Sequence, residues 1–420
     1  MFRVLHISTD DITGGAARCA YRLHRGLRDA GCDSRMLVAR RRSDDPSVIG
    51  FLPSRNPIDR ARTLMRNRGI RRSLSAYQQT RPAGVERFSD DRTRHGPQLA
   101  RRLPDCDALN LHWIANLVDV RTFFALAPPA IPLVWTLHDM NAFTGGCHYD
   151  SGCGRFEDQC GVCPQLGSTR PMDLSWQIWR RKQATFARLD PERLHIVTPS
   201  RWLAHEVERS SILGDRFPVS VIPYGIDTDA FAPRDTMAAR DALGIPLNAN
   251  VVLFIAESTE NHRKGFAALG PTLARLEGRP DLFLLSVGKG TSTMAGPIPH
   301  KHLQYVNDDR LLSMIYSAAD VLVFPSLQDN LPAVVLEALA CGLPIAAFDV
   351  GGVPDAVRPG QTGALVRAGD TDALAAAIGS TLDNRERLRE LKANCRRIAI
   401  HEYALAVQAR RYLELYASLT

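Results

Sequence analysis

The chain has 420 residues, 52 Lys+Arg against 45 Asp+Glu, and a formal net charge of +7. Hydrophobic residues make up 45% and charged residues 23%, the proportions of an ordinary globular protein, which excludes a disordered, collagenous or small disulfide-stapled chain. At roughly 150 residues per domain the length fits two or three domains, each able to bury a full core.

The first 40 residues read as strand, glycine turn, helix, strand. Val4, Leu5 and Ile7 form a short β run, TDDITGG follows, and Ala16 to Ala30 places Ala20, Leu23 and Leu27 on one helical side. Gly31 ends that helix and Met36 to Val38 is the next strand, a β-loop-α-β pattern that predicts a parallel, doubly wound sheet. Residues 41 to 92 show no clear periodicity and read as an irregular insertion or mobile loop. Within them, Arg60, Arg62, Arg66, Arg68, Arg71 and Arg72 follow the single acid Asp59. Such a cluster suits phosphates, nucleic acid or anionic lipid, with a solvated surface loop as the bland alternative.

Strands then follow at 108–111, 133–136 and 194–197, the last leading through Pro199-Ser200 into a helix over 201–209. The stretch with Pro218, Pro223, Gly225 and Pro233 reads as a linker between domains. In the second half, strands are predicted at 251–255, 282–287, 321–324 and 345–348. Helices are predicted around 266–277, 309–318 and 332–341, with a largely helical end over 371–418. The most apolar run, 123–137, holds Pro128, Pro129 and Pro132 and is too short and broken for ~30 Å of hydrocarbon. The opening MFRVLHIS has no secretory pattern and reads as a buried strand, so a cytoplasmic location with the nine cysteines mostly reduced is expected.

Five groups of residues can carry chemistry. Gly14-Gly15, at the junction of the first strand and helix, lets a phosphate approach backbone N–H groups at a positive helix end, although GxGxxG is absent; a plain tight turn is the alternative. Arg263-Lys264-Gly265 puts two cations at a strand's carboxyl end, where α/β folds bind ligands; a solvated turn is the alternative. Asp329 precedes a helix that carries Glu337 among apolar neighbours. A carboxylate there can take paired sugar or ribose hydroxyls, and backbone N–H groups near Leu331 and Ala333 can hold phosphate. His138-Asp139 also follows a strand, where a histidine can meet a substrate hydroxyl or serve a structural role. Cys147, Cys153, Cys160 and Cys163, spaced C-x5-C-x6-C-x2-C, suggest a structural zinc; free or redox thiols, an iron–sulfur cluster and two disulfides are the alternatives. The other five cysteines sit singly.

Taken together, GGAAR (14–18), TLHDM (136–140), TPSRW (198–202), VIPYGID (221–227), RKGF (263–266) and the block over 318–348 resemble the retaining glycosyltransferases of family 4, over nearly the whole chain. The FTGGCHY to CGVCPQL segment (143–166) resembles a subgroup from bacterial capsule, O-antigen and exopolysaccharide assembly. The resemblance implies a GT-B fold, α/β, with two Rossmann-like doubly wound domains facing across a cleft that closes on the donor, and a helical C-terminal tail. Its implied boundaries are an acceptor domain over 1–222 that includes the four-cysteine segment 147–163, a nucleotide-sugar domain over 223–400, and a helix over 401–420 packing back on the first domain.

By the same resemblance, Gly15, with Gly14, contacts the donor phosphate or sugar. Arg263 and Lys264 neutralise the diphosphate, Glu337 binds the ribose, Leu331 lies beside the phosphate-holding amides, and His138 touches the donor sugar. Asp329 stands where the family's E-x7-E motif has its first glutamate, and DNLP replaces the commoner EGFG. The implied reaction is a front-face displacement that retains anomeric configuration. A UDP-, GDP- or ADP-sugar donor, no catalytic metal, no nucleic acid and a glycan or lipid-linked acceptor are expected. The Arg60 to Arg72 cluster, with Leu64, Met65 and Ile70, then gains a role at an anionic membrane surface, and Trp176 and Trp179 beside Arg180, Arg181 and Lys182 could add to it. The protein would then work peripherally at the inner face of the membrane. A sugar-nucleotide epimerase of GT-B fold, a non-catalytic basic lipid- or nucleic-acid-binding protein, and a degenerate transferase serving as a partner subunit are the competing readings.

Overall fold

The structure, a computed structural model, describes residues 2–258, 261–290 and 298–419. It divides into two compact units. One runs to Pro223 and takes back the residues from Gln408 onward; the other spans Tyr224–Val407. In chain order the first unit holds β1 (Arg3–Asp10), α1 (Gly15–Asp29), β2 (Asp33–Arg40), β3 (Val48–Gly50), α2 (Pro57–Ser75), β4 (Ala108–Leu111), α3 (Val120–Leu126), β5 (Leu133–Thr136), α4 (Leu174–Phe186), β6 (Leu194–Thr198), α5 (Arg201–Glu208) and β7 (Val219–Val221). The second holds α6 (Thr236–Ala242), β8 (Asn250–Ser258), α7 (Phe266–Ala274), β9 (Leu282–Lys289), β10 (His300–Leu303), α8 (Asp309–Ala318), β11 (Val321–Phe324), α9 (Ala333–Ala340), β12 (Ile345–Phe348), β13 (Gly363–Val366), α10 (Thr371–Asp383) and α11 (Arg385–Tyr403); the last helix, α12 (Leu405–Leu419), belongs to the first unit from Gln408 onward.

Both sheets are parallel in every described pairing. Their orders are β3-β2-β1-β4-β5-β6-β7 and β10-β9-β8-β11-β12-β13. Each winds outward from its first strand and then crosses back once, so a topological switch falls between β1 and β4 and again between β8 and β11. Crevices at the carboxyl ends of such strand pairs are where open α/β sheets take ligands. The central strands β4, β5, β11 and β12 are buried at every position, as parallel strands covered on both faces must be. The α/β architecture of two Rossmann-like units and the helical end agree with expectation.

Three local expectations are corrected. Residues 41–92 are not irregular throughout: they hold edge strand β3 and the 19-residue helix α2, which buries none of its residues. Apolar periodicity cannot reveal a helix with no apolar face; the signals present are Asn56, which caps Ile58, and Pro57 at the first position. The linker stretch contains strand β7. The helical end over 371–418 is three helices, interrupted where Asn384 caps α11 and where Ala404 is extended.

The last helix is pinned to the first sheet. Tyr412, Tyr416 and Ala409 pack with Val4, Leu23, Ala108 and Val134. The Tyr416 hydroxyl accepts from Asn110 Nδ2 at 2.8 Å, and the Tyr412 hydroxyl lies 2.8 Å from Thr136 Oγ1. Thr136 in turn donates to Asn110 Oδ1 at 2.9 Å. Because these groups are buried, Tyr416→Phe strands the Asn110 amide. The expected loss is about 1–3 kcal/mol in the stability of the unit that holds it, read by urea denaturation followed by circular dichroism.

Candidate functional site

In the second unit the chain leaves β8 and makes one turn over His262–Lys264, capped by the Asn261 side chain. Gly265 follows at φ +70°, and a Cβ there would stand 1.8 Å from the Pro325 carbonyl oxygen. Only glycine lets this turn lie against the loop that leaves β11. The two segments are stitched together: the Leu327 amide donates to the Arg263 carbonyl at 2.8 Å, and Arg263 Nη1 donates to the Gln328 carbonyl at 2.6 Å. Gly351 backs the loop from its other side, where a Cβ would meet the Asp329 carbonyl oxygen at 1.9 Å.

This double clamp fixes Asp329. Lys264 Nζ donates to its Oδ2 at 2.6 Å, and Arg263 Nη1 lies 3.2 Å from the same oxygen. The Asn330 amide donates to Oδ1 at 3.1 Å. Burial opposes the charged carboxylate, but Lys264 and Arg263 outweigh it and hold the carboxyl down at about 2. Two cations around one anion leave a net positive charge at the carboxyl ends of β8 and β11. Next to it starts α9, whose N-terminus at Pro332 has no side-chain cap. Leu331 and Glu337 are both buried, and Glu337 Oε2 accepts from the Tyr316 hydroxyl of α8 at 2.9 Å. The structure therefore joins Arg263, Lys264 and Asp329 directly and places Glu337 one helix turn and more into α9, against Tyr316. Tyr316 carried no signal in the sequence, being one more position in an apolar helix stripe.

In the first unit Gly14 follows β1 at φ +89° and precedes Gly15, the first residue of α1. No side chain caps this helix, and a Cβ at either glycine would meet nothing within 4 Å. His138-Asp139 follows β5, and His112-Trp113 follows the neighbouring β4. His112 was missed in the sequence, although the rule that singled out His138 applies equally to it. His112 Nδ1 lies 3.1 Å from His138 Nε2. Asp139 accepts from Trp113 Nε1 at 2.9 Å and from the Asn141 amide at 2.9 Å, and lies 2.6 Å from His148 Nδ1. With Trp135 these residues line one small pocket.

The four cysteines behave otherwise than expected. Cys147, Cys153, Cys160 and Cys163 line one cavity, yet among the described residues no group of three or more His, Cys, Asp or Glu side chains converges closely enough to hold a metal. The structural zinc is therefore not supported. Cys160 Sγ accepts the Gly145 amide at 3.2 Å, and Phe88 pairs with Cys147 across an isolated bridge, so these contacts hold the segment. The expected basic surface at α4 is also corrected. Trp179 is buried, Lys182 is buried and donates to the carbonyls of Asn141 and Thr144, and Arg181 pairs with Asp90 and Asp91. Trp176 and Arg180, stacked at 5.0 Å, stay near the surface.

The Asp329 cluster sets a pH expectation. A folded-state value near 2, below the ordinary ~3.9, contributes stability that is complete above about pH 4 and lost as pH falls toward 2. In Asp329→Asn that part of the acid-induced loss disappears, and at pH 7 the variant is less stable by roughly 3 kcal/mol because two cations lose their shared anion. Urea midpoints measured from pH 7 down to pH 2 check both.

Comparison with known proteins bears on the family and the fold. The family model described as Glycosyltransferase Family 4 matches residues 13–230, and the one described as Glycosyl transferases group 1 matches residues 249–384. A D-inositol 3-phosphate glycosyltransferase of Geodermatophilus obscurus is 32% identical over 229 residues, which are 48% of this chain and 50% of that protein. The chain spans about half the length of the curated relatives it matches. Among solved structures, sucrose-phosphate synthase from Thermosynechococcus elongatus is 19% identical with a TM-score of 0.67, over 100% of this chain and 99% of that one. The Anabaena protein HepE in complex with UDP-glucose is 16% identical with a TM-score of 0.66, over 100% of each chain. These likenesses show the shared fold, the GT-B type. Since the first of the two models alone spans more than half of the residues, the chain belongs to glycosyltransferase family 4.

Proposed function

We propose that this chain is a retaining glycosyltransferase that moves a sugar from a nucleotide-sugar donor to a glycan or lipid-linked glycan acceptor in polysaccharide biosynthesis. The observation that carries the proposal is the Arg263–Lys264–Asp329 cluster beside the uncapped start of α9, at the switch point of the second sheet. Net positive charge and helix-end amides in one place suit a diphosphate. The HepE neighbour, solved with UDP-glucose, adds weight to a nucleotide-sugar donor.

In this reading Arg263 and Lys264 stabilise the charge that develops on the leaving diphosphate, which is where an electrostatic contribution lowers the barrier most. Asp329 holds the two cations together in one place. Glu337 takes the ribose hydroxyls, with Tyr316 holding its other oxygen, and the amides near Leu331 take phosphate. In the first unit the open helix start at Gly14-Gly15 takes a donor oxygen, and His138 meets the sugar. The acceptor hydroxyl attacks the face that the nucleotide leaves, and a donor phosphate oxygen takes its proton. The protein's share is orientation and charge stabilisation.

Thermal-shift titration with UDP, GDP, ADP and their glucose or mannose conjugates tests this. A ligand bound only by the native state at 100 times its Kd stabilises by ~2.7 kcal/mol. One nucleotide class should raise the melting temperature, and Lys264→Ala and Glu337→Ala should abolish the rise. Absence of any shift sinks the reading. Product analysis with donor alone separates an epimerase, which needs no acceptor.

A membrane-facing acceptor fits α2. Arg60, Arg62, Arg68, Arg71 and Arg72 are exposed, as are Ile58, Leu64 and Met65. Arg66 is different: it binds Asp119 and the Thr93 carbonyl, and so anchors the helix. No helix among the described residues is long and apolar enough to cross a membrane. With about 1 kcal/mol per basic residue near an anionic surface, Arg60→Glu with Arg62→Glu and Arg68→Glu should lower co-sedimentation with phosphatidylserine vesicles at least tenfold and leave the melting temperature nearly unchanged. Equal sedimentation of the variant and the parent removes the membrane role.

A further inference from the structure

Three histidines, His6 within β1 and His112 and His138 just past the ends of the adjacent β4 and β5, form an unbroken buried chain. His6 Nδ1 lies 2.8 Å from His112 Nε2, and His112 Nδ1 lies 3.1 Å from His138 Nε2. The rings sit 5.1 and 5.3 Å apart. His6 and His112 are essentially inaccessible, and His138 is buried. A fourth ring, His24, stands 6.0 Å from His6 but is held between Ser34 and Ser47 and does not join the chain.

Each link needs one hydrogen, and each neutral imidazole carries one. The chain therefore has two hydrogen arrangements. In one, His6 Nδ1–H donates to His112, His112 Nδ1–H donates to His138, and the hydrogen of His138 is on Nδ1. In the other, every donor is reversed, and the hydrogen of His6 must sit on Nε2. That atom is buried and has no hydrogen-bond partner among the described residues. An orphaned buried N–H is rarer than an orphaned lone pair, so the first arrangement wins. Burial depresses all three rings, His138 to about 4, so they are neutral around pH 7.

We propose that His6 and His112 are positioning residues: through this chain they lock His138 as the Nδ1–H tautomer in one orientation, so that it serves the nucleotide-sugar donor as a hydrogen-bond donor and not as a base. The part about the donor rests on the functional reading above; the part about the tautomer does not. None of the motifs that carry the family resemblance includes His6 or His112.

The test is 15N spectroscopy of the whole chain labelled at histidine, at pH 7.5. The expected result is a pure Nδ1–H signature for His138. A mixed or Nε2–H signature overturns the proposal without any variant. His112→Leu breaks both links and should release His138 into a tautomer mixture. His112→Asn carries an amide where Nδ1 stood and should restore the Nδ1–H form. A folded His112→Leu protein whose His138 signature is unchanged also overturns it. UDP-glucose is the probe for the second part. Its Kd should rise about fivefold to tenfold in His112→Leu and recover in His112→Asn, the size of one hydrogen bond. Lys264→Ala serves as the control for the nucleotide site: if wild-type protein binds no UDP-glucose while the tautomer result holds, the functional reading fails and the chain stands.

Discussion

A buried carboxylate shared by two cations organises the second unit. Asp329 sits where dehydration should keep it neutral, and Lys264 and Arg263 keep it ionised. The arrangement works in both directions, because the same anion holds two long, flexible side chains in one place. Arg263 is further tied to the Gln328 carbonyl, so its guanidinium is fixed by two different partners on one loop. Electrostatic catalysis needs charge that does not have to reorganise when the leaving group forms, and this is such charge.

The backbone makes that contact available. The loop after β11 lies between Gly265 and Gly351, and both are at positive φ with a backbone oxygen where their Cβ would be. Two strand ends that flank a topological switch are near each other in any doubly wound sheet. Here the glycines bring the loops that extend them into direct hydrogen-bonding contact, through Leu327 to Arg263 and Gly352 to Asp329. The cation pair immediately precedes Gly265 in the chain and so stands at this contact.

The sequence makes the sheets legible because parallel strands covered on both faces appear as unbroken apolar runs, as in Val321–Phe324 and Ile345–Phe348. Edge strands such as β3, β7 and β10 are short and half exposed, and that run is absent from them. The helix α2 escapes for the opposite reason: with no buried residue it has no period to detect. At the site, the motifs located Arg263, Lys264, Asp329 and Glu337, while the bond between Asp329 and the two cations depends on loop geometry that no spacing expresses. The cysteines mislead because close spacing in the chain promised four converging ligands, and the fold spends the intervening residues on turns that leave them around a cavity instead.

One signal was present and is general. Side chains alternate along a strand, so Val4, His6 and Ser8 share a face with Ala108, Asn110 and His112, and with Val134, Thr136 and His138. Along each of the three central strands that face passes from an apolar residue (Val4, Ala108, Val134) to a polar one (His6, Asn110, Thr136) and on toward the carboxyl end, with Val134 standing beside Asn110 in the register. The apolar residues pack on α12. The polar ones are satisfied by Tyr412 and Tyr416 of the same helix, except for His6, which turns toward His112. A buried parallel strand has no structural need for polar residues, and each one must find a partner. Their appearance on one face of three neighbouring strands, each time toward the carboxyl end, therefore marks the direction in which the sheet ceases to be core and becomes a site. The two tyrosines that close the C-terminal helix onto the sheet also settle the face on which the histidine chain stands.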